Sequence, residues 1–320
     1  MRVEALAGLS TEQRLLLARK LQERRAGAAA GPGRRWARRS LGLPMPLAEA
    51  VLRLAREAGY EPAEILLAAW AGLLARYSGR DDALVATPIL VRIAGCGTVA
   101  FRTLLARVRC ALAEREGAVD AAGALLPAGF LFERTAARRP QVEDLPAAPR
   151  LVLRVLAEAS RLHCLLDFWA DRFAATDATR MLLHFARLLE RAASDPDRAL
   201  AGLDLLSAAE RHQLVVEWRE VGRKILDDGA APGSSPPWLY LLDATRQPVP
   251  VGVAGELYVA GWGERGAGVE PGGLAVPSDP PGAHLWHGGR RAVRRPDGNL
   301  VLVAPVDGTA GDDPAAGGQG

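Results

Sequence analysis

The sequence predicts an α/β unit followed by a small β-rich unit, and three observations carry that reading. Up to about residue 205, stretches with helical spacing of apolar residues alternate with short apolar runs of strand length. From Asp227 onward the helical spacing vanishes, and Gly and Pro punctuate short β-type runs. The 320 residues are 49% hydrophobic and 24% charged, which excludes a disordered chain and leaves enough apolar surface for two modest cores.

The elements follow in order. Ser10–Arg25 reads as a short amphipathic helix, capped at Ser10 or Thr11, with Leu15, Leu16, Leu17 and Leu21 on its apolar side. AGAAAGPG (26–33) is a flexible break. A second helix runs from Pro46 to Gly59, with Leu47, Val51, Leu54 and Ala58 in register. A third starts at Pro62, which suits a first helical turn, and stops at Ser78–Gly79. ALVATPI (83–89) is a buried strand closed by Pro88. The helix Phe101–Glu114 buries Phe101, Leu104, Leu105, Val108 and Leu112, and a brief strand is expected around Phe130–Phe132. Residues 150–156 and 161–169 form an antiparallel hairpin across AEAS. Thr176–Ala193 is a long helix, and Ser207–Glu217 a short one opened by an S-x-x-E capping box.

In the second unit WLYLLD (238–243), GELYVAG (255–261) and NLVLVAPV (299–306) are strands, with PDG (296–298) as a hairpin turn. GDDPAAGGQG (311–320) is a disordered tail.

Composition narrows the function classes. No run of 18 apolar residues occurs, so no membrane partner is expected, and no signal-peptide core opens the chain. Cys96, Cys110 and Cys164 are odd in number and unrelated in spacing, which fits a cytoplasmic location and no disulfide framework. Only Lys20 and Lys224 are lysines, so the net charge of +3 reflects arginine-rich coding more than a polyanionic ligand. Arg34, Arg35, Arg38 and Arg39 around Trp36 form a local basic patch, but it stops at Ser40, and no nucleic-acid partner is expected.

Several strings carry a family resemblance. PLAEAVLRLAREAGYEPAEILLAAWAGLLARYSGRDDALVATPI (46–89) resembles the start of the C-terminal lobe of nonribosomal peptide synthetase condensation domains. FRTLLARVR (101–109) and LHCLLDFWADRFAATDATRMLLHFARLLERAASDP (162–196) are similar to later elements of that lobe. LSTEQRLLLARKLQERRA (9–26) and LDLLSAAERHQLVVEWRE (203–220) resemble the linkers before and after it. LYLLDATRQPVPVGVAGELYVAG (239–261) and WHGGRRAVRRPDGNLVLVAPVD (286–307) are similar to stretches of the adenylation (AMP-binding) domain. The resemblance implies half of a CoA-dependent acyltransferase-like fold followed by a β-rich adenylation-domain remnant. It implies residues 1–39 as a leading linker helix and basic flexible segment, 40–205 as the condensation-like lobe, 206–237 as a linker, 238–308 as the adenylation-like fragment and 309–320 as a tail.

The chemistry of that family needs residues that are absent here. Its condensation reaction uses an adjacent His pair, HHxxxDG, whose second His must lie within hydrogen-bond reach of the attacking amine. His163, His184, His212, His284 and His287 include no adjacent pair, and the passage from leading linker to second lobe, roughly twenty residues, is too short for another domain. No Ser/Thr/Gly phosphate loop of the adenylation type occurs. Arg290 stands where the family carries an aspartate, Pro305 replaces the hinge arginine, and thirteen residues follow Asp307, too few for the small subdomain with its lysine.

Other motifs give no site. GWGERG (261–266) precedes AGVEPGG, which cannot form the helix that a dinucleotide site requires. His284 and His287 lack the further ligands of a zinc site and read as solvated. His163 and Cys164, being adjacent on a strand, face opposite ways; His184 reads as packing, and DFWAD (167–171) as a strand end. No catalytic, cofactor-binding or metal residue is therefore assigned, and no cofactor is expected. The resemblance implies a truncated synthetase-like protein of secondary-metabolite (antibiotic) biosynthesis, without condensation or adenylation activity of its own. Its partners would be phosphopantetheinyl carrier proteins or other synthetase subunits. The alternative is one lobe of a split condensation enzyme, completed in trans by a separate protein bearing HHxxxDG.

Overall fold

A computed structural model describes residues 35–114, 128–134, 142, 145–146, 148–218, 238–260 and 285–303. They divide into two compact units, one holding residues up to Leu74 with Asp82–Arg198, the other Ala75–Asp81 with Ala199 onward. The expected helix 10–25, the glycine-rich 261–266 and the tail lie outside the described residues.

The first unit contains β1 (Trp36–Gly42), α1 (Met45–Ala58), most of α2 (Pro62–Ser78), β2 (Asp82–Ala86), β3 (Leu90–Ala94), α3 (Phe101–Ala113), β4 (Ala128–Arg134), β5 (Leu151–Glu158), β6 (Arg161–Trp169) and α4 (Ala175–Ser194). The α1 stripe Leu47, Val51 and Leu54 is buried as its spacing requires, with Ala55 in place of Ala58. The helix stops at Gly59, whose φ of 68° favours glycine. Every residue from Glu64 to Leu73 in α2 is buried, so this helix is apolar on all sides. Its Trp70 ring meets Phe185 of α4 edge-on at 6.2 Å.

Six strands form one mixed sheet in the order β1-β6-β5-β4-β2-β3. The β2–β4 and β4–β5 pairs are parallel and the rest antiparallel. The β5–β6 hairpin is tighter than expected: Ala157 and Glu158 extend the strand, and the turn is Ala159–Ser160, with φ of 50° at Ala159. The structure also corrects the reading at three places. Trp36–Gly42, expected to begin in a basic flexible linker, is the edge strand β1, held along its length by β6. Leu90–Ala94 is a strand that the sequence did not announce. The run 83–89 ends as a strand at Ala86, and Thr87 turns the chain by donating its amide to the Ile89 carbonyl.

The second unit carries α5 (Ala208–His212) and an antiparallel sheet of β7 (Trp238–Leu242), β8 (Ala254–Ala260), β9 (Leu285–Arg294) and β10 (Leu300–Val303), ordered β10-β9-β8-β7. The capping box is present in both directions: Ser207 accepts from the Glu210 amide and Glu210 accepts from the Ser207 amide. Beyond His212 the helix widens to a π-turn over Gln213–Glu217. PDG closes the β9–β10 hairpin as expected, with φ of 85° at Gly298. Strand β9 is the addition here. Its buried Arg294 donates to the carbonyls of Trp218 and Gly298 at 2.9 and 3.1 Å, and burial pushes its pKa down to about 10.

Candidate functional site

The registers sort every strand residue of the first unit onto one of two sheet faces. One face is apolar at its centre: Leu162, Cys164, Leu166 and Phe168 of β6, Leu151, Leu153 and Val155 of β5, Phe130 of β4, Val85 of β2, and Val91 and Ile93 of β3 are all buried, while Arg39 of β1 and Arg134 of β4 are exposed at its rim. Burial pushes the Cys164 thiol up to about 12. The opposite face differs in kind. It carries Trp36 and Arg38 from β1, His163, Asp167 and Trp169 from β6, Arg154 from β5 and Glu133 from β4.

These charges form a chain across four strands. Glu133 pairs with Arg154, whose Nε lies 3.7 Å from Asp167, and Asp167 accepts two hydrogen bonds from Arg38, at 2.5 and 3.0 Å. The side chains of Glu133, Arg154 and Asp167 are 6, 8 and 7% exposed, whereas Arg38 is 54% exposed. The hydrogen bond to Asp167 raises the Arg38 pKa above its ordinary value. Signs alternate along the chain, so each buried charge meets its opposite, the condition under which ions tolerate burial. Two flanks complete the face. Ala86, Leu131, Val152 and Leu145 form an apolar cluster on one side. On the other, Trp36 and Trp169 meet edge-on at 6.0 Å, and Arg150 stacks 4.8 Å from the Trp169 ring centre.

This arrangement can bind and orient, but it places no base beside a nucleophile. His163 is exposed and Cys164 buried on opposite faces of β6, as the period of two requires. His184 is buried in α4. In the second unit, His212 faces Glu217 at 3.2 Å, and His287 faces Glu256 at 3.2 Å while packing on Tyr258. His284 and Pro305 lie outside the described residues, and Arg290 is exposed on β9. Among the described residues no group of three or more His, Cys, Asp or Glu is placed to hold a metal, and no helix is long and apolar enough to cross a membrane. The charge chain escapes a reading of the sequence, although Glu133, Arg154 and Asp167 each lie within or at the end of an apolar run: FLFER, RLVLRVL, LLDFW.

No family model matches the chain. Curated proteins do. It is 28% identical over 222 residues to a linear gramicidin synthase from Brevibacillus parabrevis, covering 55% of this chain and 3% of that protein. It is 45% identical over 75 residues to a dimodular nonribosomal peptide synthase of Bacillus subtilis (strain 168), covering 22% of this chain and 3% of that protein. Among solved structures, the first condensation domain of the CDA synthetase matches with a TM-score of 0.45 at 18% identity, over 63% of this chain and 58% of that one. The X-domain from teicoplanin biosynthesis matches with a TM-score of 0.45 at 19% identity, over 61% and 60%. The chain is thus similar to nonribosomal peptide synthetases, and its structural neighbours include condensation domains. It spans only a few per cent of the length of these curated relatives.

Proposed function

We propose that this protein is a non-catalytic, synthetase-like scaffold of peptide secondary-metabolite assembly, whose condensation-like unit docks carrier proteins or synthetase subunits. One observation carries the reading: the five histidines, His163, His184, His212, His284 and His287, include no pair adjacent in the sequence. The sheet face that could accept a substrate offers instead a neutralised charge chain, whose guanidinium and carboxylate groups are engaged with one another. Such a face supports orientation of a partner more than proton transfer to it. The second unit, read as an adenylation-like remnant, presents exposed Arg290 at the position that the family resemblance gives to an acid, which disfavours contact with ribose hydroxyls.

Titration calorimetry with an isolated phosphopantetheinylated carrier domain tests the docking part. Saturable binding supports it. Failure of every carrier domain encoded near this chain to bind would remove it. The alternative, one lobe of an enzyme completed in trans, requires stable association with a separate HHxxxDG-bearing protein and turnover by the pair.

A further inference from the structure

Strand β1 has β6 as its one neighbour in the sheet among the described residues, so its other side is an edge. Two hydrogen bonds fix which backbone groups face outward. The Leu43 amide donates to the Leu162 carbonyl, and the Ala170 amide donates to the Arg35 carbonyl. Alternation in an antiparallel ladder then directs Arg35, Ala37, Arg39 and Leu41 towards β6 and turns the N–H and C=O groups of Trp36, Arg38, Ser40 and Gly42 to the free edge. An edge of seven residues is a template for another strand.

The side chains say which strand fits. Asp167 engages Arg38, but among the described residues neither Arg35 nor Arg39 has a carboxylate partner; Arg39 reaches only the Arg38 carbonyl, at 3.1 Å. Both are exposed, and being four residues apart they share a sheet face, roughly 13 Å from one another along the strand. On the other face Trp36 is 37% exposed. We propose that the β1 edge binds an acidic extended peptide segment of a partner protein by strand addition. Carboxylates four residues apart on the incoming strand meet Arg35 and Arg39, and an aliphatic residue on its other face covers Trp36. This goes beyond the scaffold reading and does not depend on it.

The test uses the full chain and a labelled peptide, Thr-Asp-Val-Thr-Val-Asp-Thr, in fluorescence polarisation, with a counterpart carrying Lys in place of Asp. The acidic peptide is expected to bind at least about tenfold tighter than the lysine one. Two variants separate charge from strand pairing. Arg35→Glu with Arg39→Glu removes the charge match. Ser40→Pro removes an outward donor and leaves the β1–β6 ladder intact, because that amide does not face β6. Each is expected to weaken binding by about tenfold or more with an unchanged far-UV spectrum. Equal binding of the two peptides overturns the proposal, and so does unaltered binding by a folded Ser40→Pro protein. Displacement of the acidic peptide by an equimolar oligothymidylate would overturn it in favour of a nucleic-acid edge.

Discussion

Replacing Arg154 with Met is the most informative perturbation of the sheet. Arg154 is the cation paired with Glu133, whose side chain is 6% exposed, whereas Asp167 keeps both hydrogen bonds from Arg38. The variant therefore strips one buried carboxylate of its paired guanidinium and leaves the second neutralised. Breaking a buried pair from one side costs about 3–5 kcal/mol. Against a total stability of about 5–15 kcal/mol that is a large share. Replacing Glu133, Arg154 and Asp167 together with Leu, Met and Leu removes all three deeply buried charges of this face at once. It exposes no new ion, because Arg38 already reaches solvent. That triple variant is expected to be as stable as the parent, or more stable by about 1–4 kcal/mol. Guanidinium unfolding followed by circular dichroism, with the slope checked for constancy, measures both. A loss below about 1 kcal/mol for Arg154→Met would refute the reasoning, as would a triple variant as unstable as the single one.

Three further expectations follow from the first unit. Cys96 and Cys164 are buried and Cys110 exposed, and burial holds the Cys164 thiol protonated to about pH 12, so a thiol reagent at neutral pH should modify one cysteine in the folded protein and three in denaturant; two or more fast thiols in the native state would contradict this. Glu64 accepts two hydrogen bonds of 2.9 Å from Arg109, which hold its carboxyl below the usual range. A depressed acid stabilises the fold above its unfolded pKa and loses that effect as pH falls through the folded value. The stability gap between wild type and Arg109→Met should therefore be full near neutrality and close on acidification below about pH 4; a gap that widens in acid would be the wrong sign. A β-carbon at Gly129 would lie 2.8 Å from Val152 Cγ2 and 2.9 Å from Leu145 Cδ1, so Gly129→Ala should cost about 1–3 kcal/mol by overpacking, seen as a lowered unfolding midpoint.

The elements legible in the sequence are those whose own residues hold the signal. Leu47, Val51 and Leu54 announce α1, and the apolar run of 151–156 announces β5, because burial on one side leaves a period in the sequence itself. Strand β1 hides because alternate residues of WARRSLG face an edge or a charged surface, so arginines stand where strand-forming residues would be expected. What makes Arg38 a strand residue is Asp167, 129 positions away. Strand β9 hides for a related reason: LWHGGRRAVR contains two glycines and three arginines, and its pairing with β8 and β10 decides its conformation. The opposite orientations of His163 and Cys164 are legible from the period of two alone. The charge chain is not, since a lone Arg154 in an apolar strand is intelligible only when Glu133 and Asp167 arrive on its neighbours.

The proposed scaffold role is one without turnover by this chain. Its most direct measurement is a single-turnover assay in which the purified full chain meets a donor carrier loaded with an aminoacyl thioester and an acceptor carrier loaded with a second one, with dipeptidyl-carrier followed by mass spectrometry. Product is expected at the rate found without this protein. A rate clearly above that background, from this chain alone, would contradict it.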